Sequence, residues 1–329
     1  MKTFSIAGIE IRNRYVLAPL AGYTDYSMRK ICADQGAGLV YTEMESCESL
    51  YYNSKATKQD LKDTHLDRKD KDTRLALQIF GGKKDIILKS IPMFEELAQY
   101  DFLDFNCGCP VPKVIRQNAG SSWLNRPDEL VDLMKEIVKA SSKPVIIKIR
   151  IGFGEIIDIV SLCKQLEEVG VQAIAVHGRT RSEMFSGPVH YDVIADIKKN
   201  VNIPVIANGS IDSDNFQEVL SMTGADALMI GQKAIGYPKI FENMNRIEEG
   251  LPIIEDSLAR QLADLKKQIE LIYQIKDERQ ASGIMRSVSV HYMKGFDNVK
   301  KYRTQLVHCE SQKDYLETLS NIQNEQICA

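Results

Sequence analysis

Compact apolar runs of strand length recur up to about residue 235. Each is bounded by Gly, Pro, Asn or charged side chains, and stretches with apolar positions at three- and four-residue steps lie between them. The runs cover residues 15–19 (YVLAP), 38–42 (GLVYT), 75–80 (LALQIF), 102–106 (FLDFN), 144–150 (PVIIKIR), 173–177 (AIAVH), 203–208 (IPVIAN) and 227–231 (ALMIG). Their apolar character is continuous rather than alternating, which suits parallel strands covered on both faces. The segments 128–140 (DELVDLMKEIVKA) and 157–169 (IDIVSLCKQLEEV) have helical periodicity. Eight strands alternating with helices predict a (β/α)₈ TIM barrel of the α/β class. An open doubly wound sheet is the alternative, because counting strands does not show closure. The strand ends favour the barrel: Pro19, Glu43, Gln78, Asn106, Lys148, His177, Asn208 and Gly231 are polar or small, as at the C-terminal face where barrels hold their chemistry.

After Gly250-Leu251-Pro252 the strand signal stops. Leu258, Leu262, Leu265, Ile269 and Ile272 follow helical spacing, Gly283 interrupts, and residues 286–328 are again helix-like. The division expected is a catalytic barrel over residues 1–245 and a small all-α domain over 246–329. The charged stretch 53–74 alternates in sign and reads as a solvated βα insertion over the barrel mouth.

Composition narrows the class. Of 329 residues, 44% are hydrophobic and 26% charged, which excludes disordered and fibrous chains. No apolar run approaches the roughly 18 residues of a membrane span, and Met1-Lys2-Thr3-Phe4-Ser5 lacks a signal-peptide core. A soluble cytoplasmic protein with no obligate protein partner is expected. Seven cysteines scattered from Cys32 to Cys328 suit free thiols in a reducing compartment. Cys107-Gly108-Cys109 is too tight for a zinc knuckle and has no second pair, so no metal is expected. With 42 basic and 45 acidic residues the net charge is −3. That opposes indiscriminate nucleic-acid coating and leaves room for a local basic patch.

The strongest chemical signal is Asp104-Phe105-Asn106-Cys107-Gly108-Cys109-Pro110 at the end of the fourth strand. Gly108 allows a close turn and Pro110 fixes the exit, so Cys109 points into the mouth. Cys107 reads as a buried small hydrophobe. Asn208-Gly209-Ser210 and Gly231-Gln232 close the last two strands. Glycine-freed N–H groups there match the phosphate cradle that barrels build after strands seven and eight. Gln78, Lys148 and His177 should meet at the same mouth. An ammonium held among apolar neighbours, as in Ile147-Lys148-Ile149, would stabilise negative charge developing on an electron-accepting ring, and His177 reads as a donor to a cofactor.

These residues resemble a known family. Ala18-Pro19-Leu20-Ala21-Gly22-Tyr23-Thr24-Asp25 is similar to the A-P-M-A-G-x-T-D opening of the tRNA-dihydrouridine synthases. Asn106-Cys107-Gly108-Cys109-Pro110 with Lys113-Val114 and Ala119-Gly120 resembles their N-x-G-C-P…K-V…A-G segment. Lys148-Ile149-Arg150, His177-Gly178-Arg179-Thr180, Asn208-Gly209 and the tail His291-Tyr292-Met293-Lys294-Gly295-Phe296 follow in the expected order, and the bacterial B-type branch is the nearest.

The resemblance implies an FMN-dependent enzyme that reduces the C5–C6 bond of uridines in tRNA, with NADPH reducing the flavin. It makes Cys109 the proton donor to uracil C5. Pro19, Leu20, Ala21, Gln78, Lys148 and His177 would hold the flavin ring region, and Asn208, Gly209, Ser210, Gly231 and Gln232 its phosphate. Asn106 and Arg150 would face the substrate. In the tail, Arg286, His291, Lys294, Lys300, Lys301 and Arg303 interleave with Tyr292, Phe296 and Tyr302, with Asp297 the only acid there. That pattern suits RNA backbone contact and stacking. Ribosomal RNA as substrate, or an FMN barrel acting on a small molecule, are the alternatives. The chain departs from the family at two places. Gln232 stands where Arg is common, which removes one phosphate cation unless Lys233 supplies it. Ser121-Ser122-Trp123 replaces a more aliphatic stretch after the cysteine.

Overall fold

The eight apolar runs align as the parallel strands of a closed barrel in a computed structural model, which describes residues 2–67, 72–295 and 298–327. A hairpin of β1 (Phe4–Ile6) and β2 (Ile9–Ile11) precedes the barrel strands. These are β3 (Tyr15–Leu17), β4 (Leu39–Ser46), β5 (Arg74–Phe80), β6 (Phe102–Cys107), β7 (Val145–Arg150), β8 (Ile174–His177), β9 (Val205–Asn208) and β10 (Ala227–Ile230). Closure comes from β10, which pairs with β9 on one side and β3 on the other, at Leu228↔Tyr15 and Ile230↔Leu17. The open-sheet alternative is thereby excluded.

Side chains alternate between the barrel interior and the helical shell, as a pleat requires. Val16, Tyr41, Ala76, Phe102, Ile146, Ala175, Ile206 and Met229 pack together inside. Their neighbours Leu17, Val40, Leu77, Leu103, Ile147, Val176, Val205 and Leu228 join the larger core outside. The hairpin, which the sequence reading did not anticipate, seals the lower end: Ile6 and Ile11 are fully buried in the interior cluster. Its turn residues Ala7 and Gly8 both have positive φ, 50° and 78°, the geometry of a two-residue hairpin turn.

The charged stretch 53–74 is more structured than expected. Residues Lys55–Asp67 form a helix with Leu61, Asp63 and Thr64 buried; residues 68–71 of the stretch lie outside the described residues. Its acids pair with other elements. Arg29 donates through Nε and Nη2 to Asp67 at 3.0 and 2.7 Å, and Lys276 bonds to Asp60 and Asp63 at 2.6 and 3.1 Å. Alternating charge here records ion pairs across elements on one face of the helix, while Lys55, Lys62 and His65 on the other stay exposed as a solvated insertion would.

The helical region Leu258–Ile275, Glu278–Tyr292, Val299–Val307 and Gln312–Ile327 has its own core, from Leu258 to Ile322. The expected boundary at 245/246 falls inside helix Ile240–Glu248, whose Phe241 and Met244 belong to the barrel core. Gly283 does not interrupt: it sits on an open face within helix Glu278–Tyr292, where glycine costs about 1 kcal/mol. The break lies at Lys276–Asp277, and the Asp277 side chain caps the next helix by accepting from Gln280 N. Among the described residues no helix is long and apolar enough to cross a membrane, and Cys32, Cys47, Cys107, Cys109, Cys163 and Cys309 are free thiols.

Barrel and helical region meet at a buried polar seam. Tyr292 Oη donates to Gln268 Oε1 at 2.7 Å, and Gln268 Nε2 donates to Ser27 Oγ at 3.3 Å. Gly236, at φ +71°, presses against the main chain of His291 and Tyr292, where a Cβ would overlap the His291 carbonyl. Gly236→Ala should therefore destabilise the protein by roughly 2–4 kcal/mol, read as a lower thermal midpoint. An unchanged midpoint would show that this approach does not hold the two parts together.

Candidate active site

The alternation that makes an apolar floor continues upward into a polar layer. Gln78, Asp104, Asn106, Lys148, Arg150, His177 and Asn208 follow the inward positions of β5 to β9 toward their C-terminal ends. The residues expected on the ring side therefore converge on one mouth, with Pro19, Leu20 and Ala21 at the end of β3. The turn after Pro19 is closed by Thr24, whose Oγ1 accepts from Leu20 N at 3.0 Å, and Glu43 accepts from Gly22 N at 2.7 Å.

Cys109 leaves β6 on a turn built by Asn106. Asn106 Oδ1 accepts from Gly108 N and Cys109 N at 3.2 and 2.9 Å. Behind the turn, Ser121 Oγ donates to the Cys109 carbonyl at 2.9 Å. Trp123 donates to the Gly81 carbonyl at 2.9 Å and lies under the Arg126 guanidinium. The Ser-Ser-Trp departure thus buttresses the cysteine loop. Cys109 is partly exposed beside Met44, Phe80, Val114 and Ala119, whereas Cys107 is fully buried.

Burial pushes the Cys109 thiol up; a Val111 main-chain hydrogen bond and the charges of Lys148 and Arg150 pull the other way. Burial, with Arg150, lowers Lys148 to about 8, against the attraction of Asp104 and Cys109. Its Nζ donates to Asn208 Oδ1 at 3.2 Å. Burial and the cations Lys148, Arg150 and Arg179 take His177 down to about 2, so its imidazole is neutral at ordinary pH. Arg150 is 2% exposed. It donates to the carbonyls of Gly108, Thr180 and Met184, each at 2.8 Å, so those donors brace the loops around the mouth.

The far side of the mouth is a turn rich in free donors. Gly209, at φ +127°, lies where a Cβ would come within 3.0 Å of the His177 ring, and Ser210 is at φ +49°. Tyr191 and Asn215 hold the carbonyls of Gly209 and Ser210 at 2.6 and 2.8 Å. The N–H groups of Gly209, Ser210 and Gln232 find no main-chain acceptor among the described residues. Arg179, which the sequence reading assigned no role, is 6% exposed and donates to Ser210 Oγ at 3.0 Å, putting a guanidinium beside this cradle. Lys233 is held by Asp212 at 2.8 Å, so its charge is already shared. Gly231 sits against Ala18 and Leu20 with ordinary room for a Cβ.

In the tail, Arg286 and Lys294 are exposed and His291 is half-buried, its ring 5.8 Å from that of Tyr23 and edge-on to it. The charges of Arg303 and Lys233 reinforce burial in lowering Lys294, so a cationic cluster lies at the seam. Two of the three interleaved aromatics are not available to stack. Tyr292 and Tyr302 are fully buried core residues, because helical spacing turns them inward, while Phe296 and Asp297 lie outside the described residues. Lys301 is paired with Glu325 at 2.8 Å.

Comparison with known proteins follows the same lines. The family model described as dihydrouridine synthase matches residues 16–327. The tRNA-dihydrouridine synthase B of Pasteurella multocida is 34% identical over 293 residues, covering 88% of this chain and 86% of that protein. Those of Klebsiella pneumoniae and Escherichia coli are 41% and 40% identical over 242 residues, covering 73% of each chain. Among solved structures, the old yellow enzyme homologue of Zymomonas mobilis aligns with TM-score 0.55 at 14% identity, over 79% of this chain and 95% of that one. Morphinone reductase aligns with TM-score 0.54 at 15% identity, over 79% and 93%. These structural likenesses concern the barrel fold.

Because Cys109 is held in its protonated form, iodoacetamide labelling mapped to Cys109 should be slow at pH 7. It should rise about tenfold per pH unit beyond the ordinary thiol value of about 8.5. A plateau reached below pH 8 would contradict the environment described.

Proposed function

The chain belongs to the dihydrouridine synthase family and reduces uridine in tRNA to 5,6-dihydrouridine; we propose that it does so with FMN and NADPH and with Cys109 as the proton donor. The residues at the mouth fit a phosphorylated, electron-accepting ring. Lys148, Arg150 and Arg179 bring buried positive charge there, and the unspent N–H groups beside Arg179 form a cradle for an anion. Pro19, Leu20, Ala21, Gln78, Lys148 and His177 would hold the ring, and Asn208, Gly209, Ser210, Gly231 and Gln232 the phosphate. Arg179 supplies the cation that Gln232 does not. Bound there, FMN supplies hydride to uracil C6, with NADPH as the source of reducing equivalents.

Hydride arriving at C6 leaves negative charge at C5 and its carbonyl. The Cys109 S–H bond then breaks, its proton forms the C5–H bond, and the thiolate is reprotonated from solvent. A thiol held above its ordinary range is the form this step needs, and a positioned general acid contributes about 10²–10⁴-fold. Lys148 places an ammonium near the developing charge. Neutral His177 supplies a hydrogen-bonding edge without a further charge. Asn106 holds the turn that carries the sulfur, and Arg150 braces it from behind. The observation that carries the proposal is this protonated, half-open thiol on a turn clamped by Asn106 and Ser121, beside the cations Lys148 and Arg150.

A uridine in folded RNA must leave its stack to reach the mouth, which costs a few kcal/mol. His291 and Lys294 at the seam, with Arg303 nearby and Arg286 further back on the same helix, offer phosphate contacts to offset it.

Cys109→Ala should retain flavin absorbance and reduction by NADPH while dihydrouridine formation on tRNA falls about 10²–10⁴-fold; turnover at the parent rate would remove the proton-donor role. Replacing Arg286 and Lys294 together by Ala should raise KM for tRNA and flatten its salt dependence by about one to two counterions. NADPH oxidation without RNA should be unaltered.

A further inference from the structure

Asp104 lies below the mouth on β6, fully buried, and plays no part in the chemistry above. A single line of hydrogen bonds joins it to the cysteine turn. Gly108 and Cys109 donate their N–H groups to Asn106 Oδ1 at 3.2 and 2.9 Å. Asn106 Nδ2 donates to Gln78 Oε1 at 2.8 Å, and Gln78 Nε2 donates to Asp104 Oδ2 at 2.6 Å. The ends allow one direction only. Main-chain N–H groups can only donate, and Asp104 Oδ2 accepts whether or not the carboxyl carries a proton on its other oxygen. The two amides between them are nearly symmetric in shape and take their direction from the ends. The other oxygen, Oδ1, is buried with no hydrogen-bond partner among the described residues, so the carboxyl's polar contacts are spent on Gln78.

We propose that Asp104 is the positioning residue that supplies the inner acceptor of this line and so holds Cys109 where its proton is delivered. Without the inner acceptor, Gln78 Nε2 is left a buried donor with no partner, and Gln78 escapes that only by leaving Asn106 or turning its amide over. Once its amide turns over, it faces Asn106 Nδ2 with a second donor. Asn106 must then choose between Gln78 and the two N–H groups of the turn. Burial, opposed by Gln78 and Lys148, raises the Asp104 carboxyl to about 8, and the direction of the line survives in both of its charge states.

The proposal rests on Cys109 as proton donor, so one arm of the test does not use that chemistry. In the flavin-loaded protein, iodoacetamide labelling of Cys109 at fixed pH is compared for parent, Asp104→Leu and Asp104→Asn. Reduction by NADPH and reoxidation by tRNA are then followed separately. Asp104→Leu should change the labelling rate severalfold and slow reoxidation by about 10²-fold, at least tenfold more than it slows reduction, where Gln78 and Lys148 are disturbed only indirectly. Asp104→Asn, which keeps an accepting oxygen, should restore both. If Asp104→Leu does not fold, Asp104→Ser withdraws the acceptor from Gln78 and gives the same reading. Parent-like labelling and reoxidation in the Leu or Ser variant would overturn the proposal. So would equal slowing of both half-reactions, or an Asn variant as impaired as Leu. A parent protein that forms no dihydrouridine would sink the proton-donor reading, and the labelling arm would still decide the role of Asp104.

Discussion

Strand alternation inside a closed ring is the constraint on which the rest depends. With β10 hydrogen-bonded to β3, every second residue of eight strands is committed to a shared interior that must be filled. Low in the barrel the inward positions are Val16, Ala76, Phe102, Ile146 and Ile206. One or two steps higher, the same side of the same strands carries Gln78, Asp104, Asn106, Lys148, His177 and Asn208. No loop has to carry these groups into place. Rigid strands present them, which is why buried polar side chains can be held at hydrogen-bond distance.

Much of this was legible in the chain. Eight apolar runs gave eight strands, and the polar residues closing them gave the mouth. What escaped the reading has physical causes. Three-residue strands such as Phe4–Ile6 are too short for an apolar run to register. The stretch 53–74 looked solvated throughout, and is so only on one face, because a charge pattern does not say which members have partners on other elements, as Asp60, Asp63 and Asp67 have in Lys276 and Arg29. Tyr292 and Tyr302 looked like stacking residues because interleaving in sequence is not adjacency on a surface; a period of 3.6 buries them. Asp104 headed the cysteine motif without a role of its own, since nothing local shows that Gln78 stands directly opposite it on the neighbouring strand.

On the side of β7 to β9 the mouth is cationic. Lys148, Arg150 and Arg179 are gathered within reach of His177, which they and burial keep neutral, and the same burial keeps Cys109 a thiol. Low dielectric thus acts oppositely on the two groups in the sense of charge and alike in outcome: neither is ionised, and the net positive field is left for anions. Desolvation of this kind is stable only because the guanidiniums are spent on carbonyls of their own loops, as Arg150 is on Gly108, Thr180 and Met184.

The sealed lower end has a kinetic meaning. Ile6 and Ile11 of the small N-terminal hairpin stopper the cylinder, so the cleft above has a single doorway. Whatever the cleft receives therefore enters and leaves by the polar end, so arrival and departure share one opening.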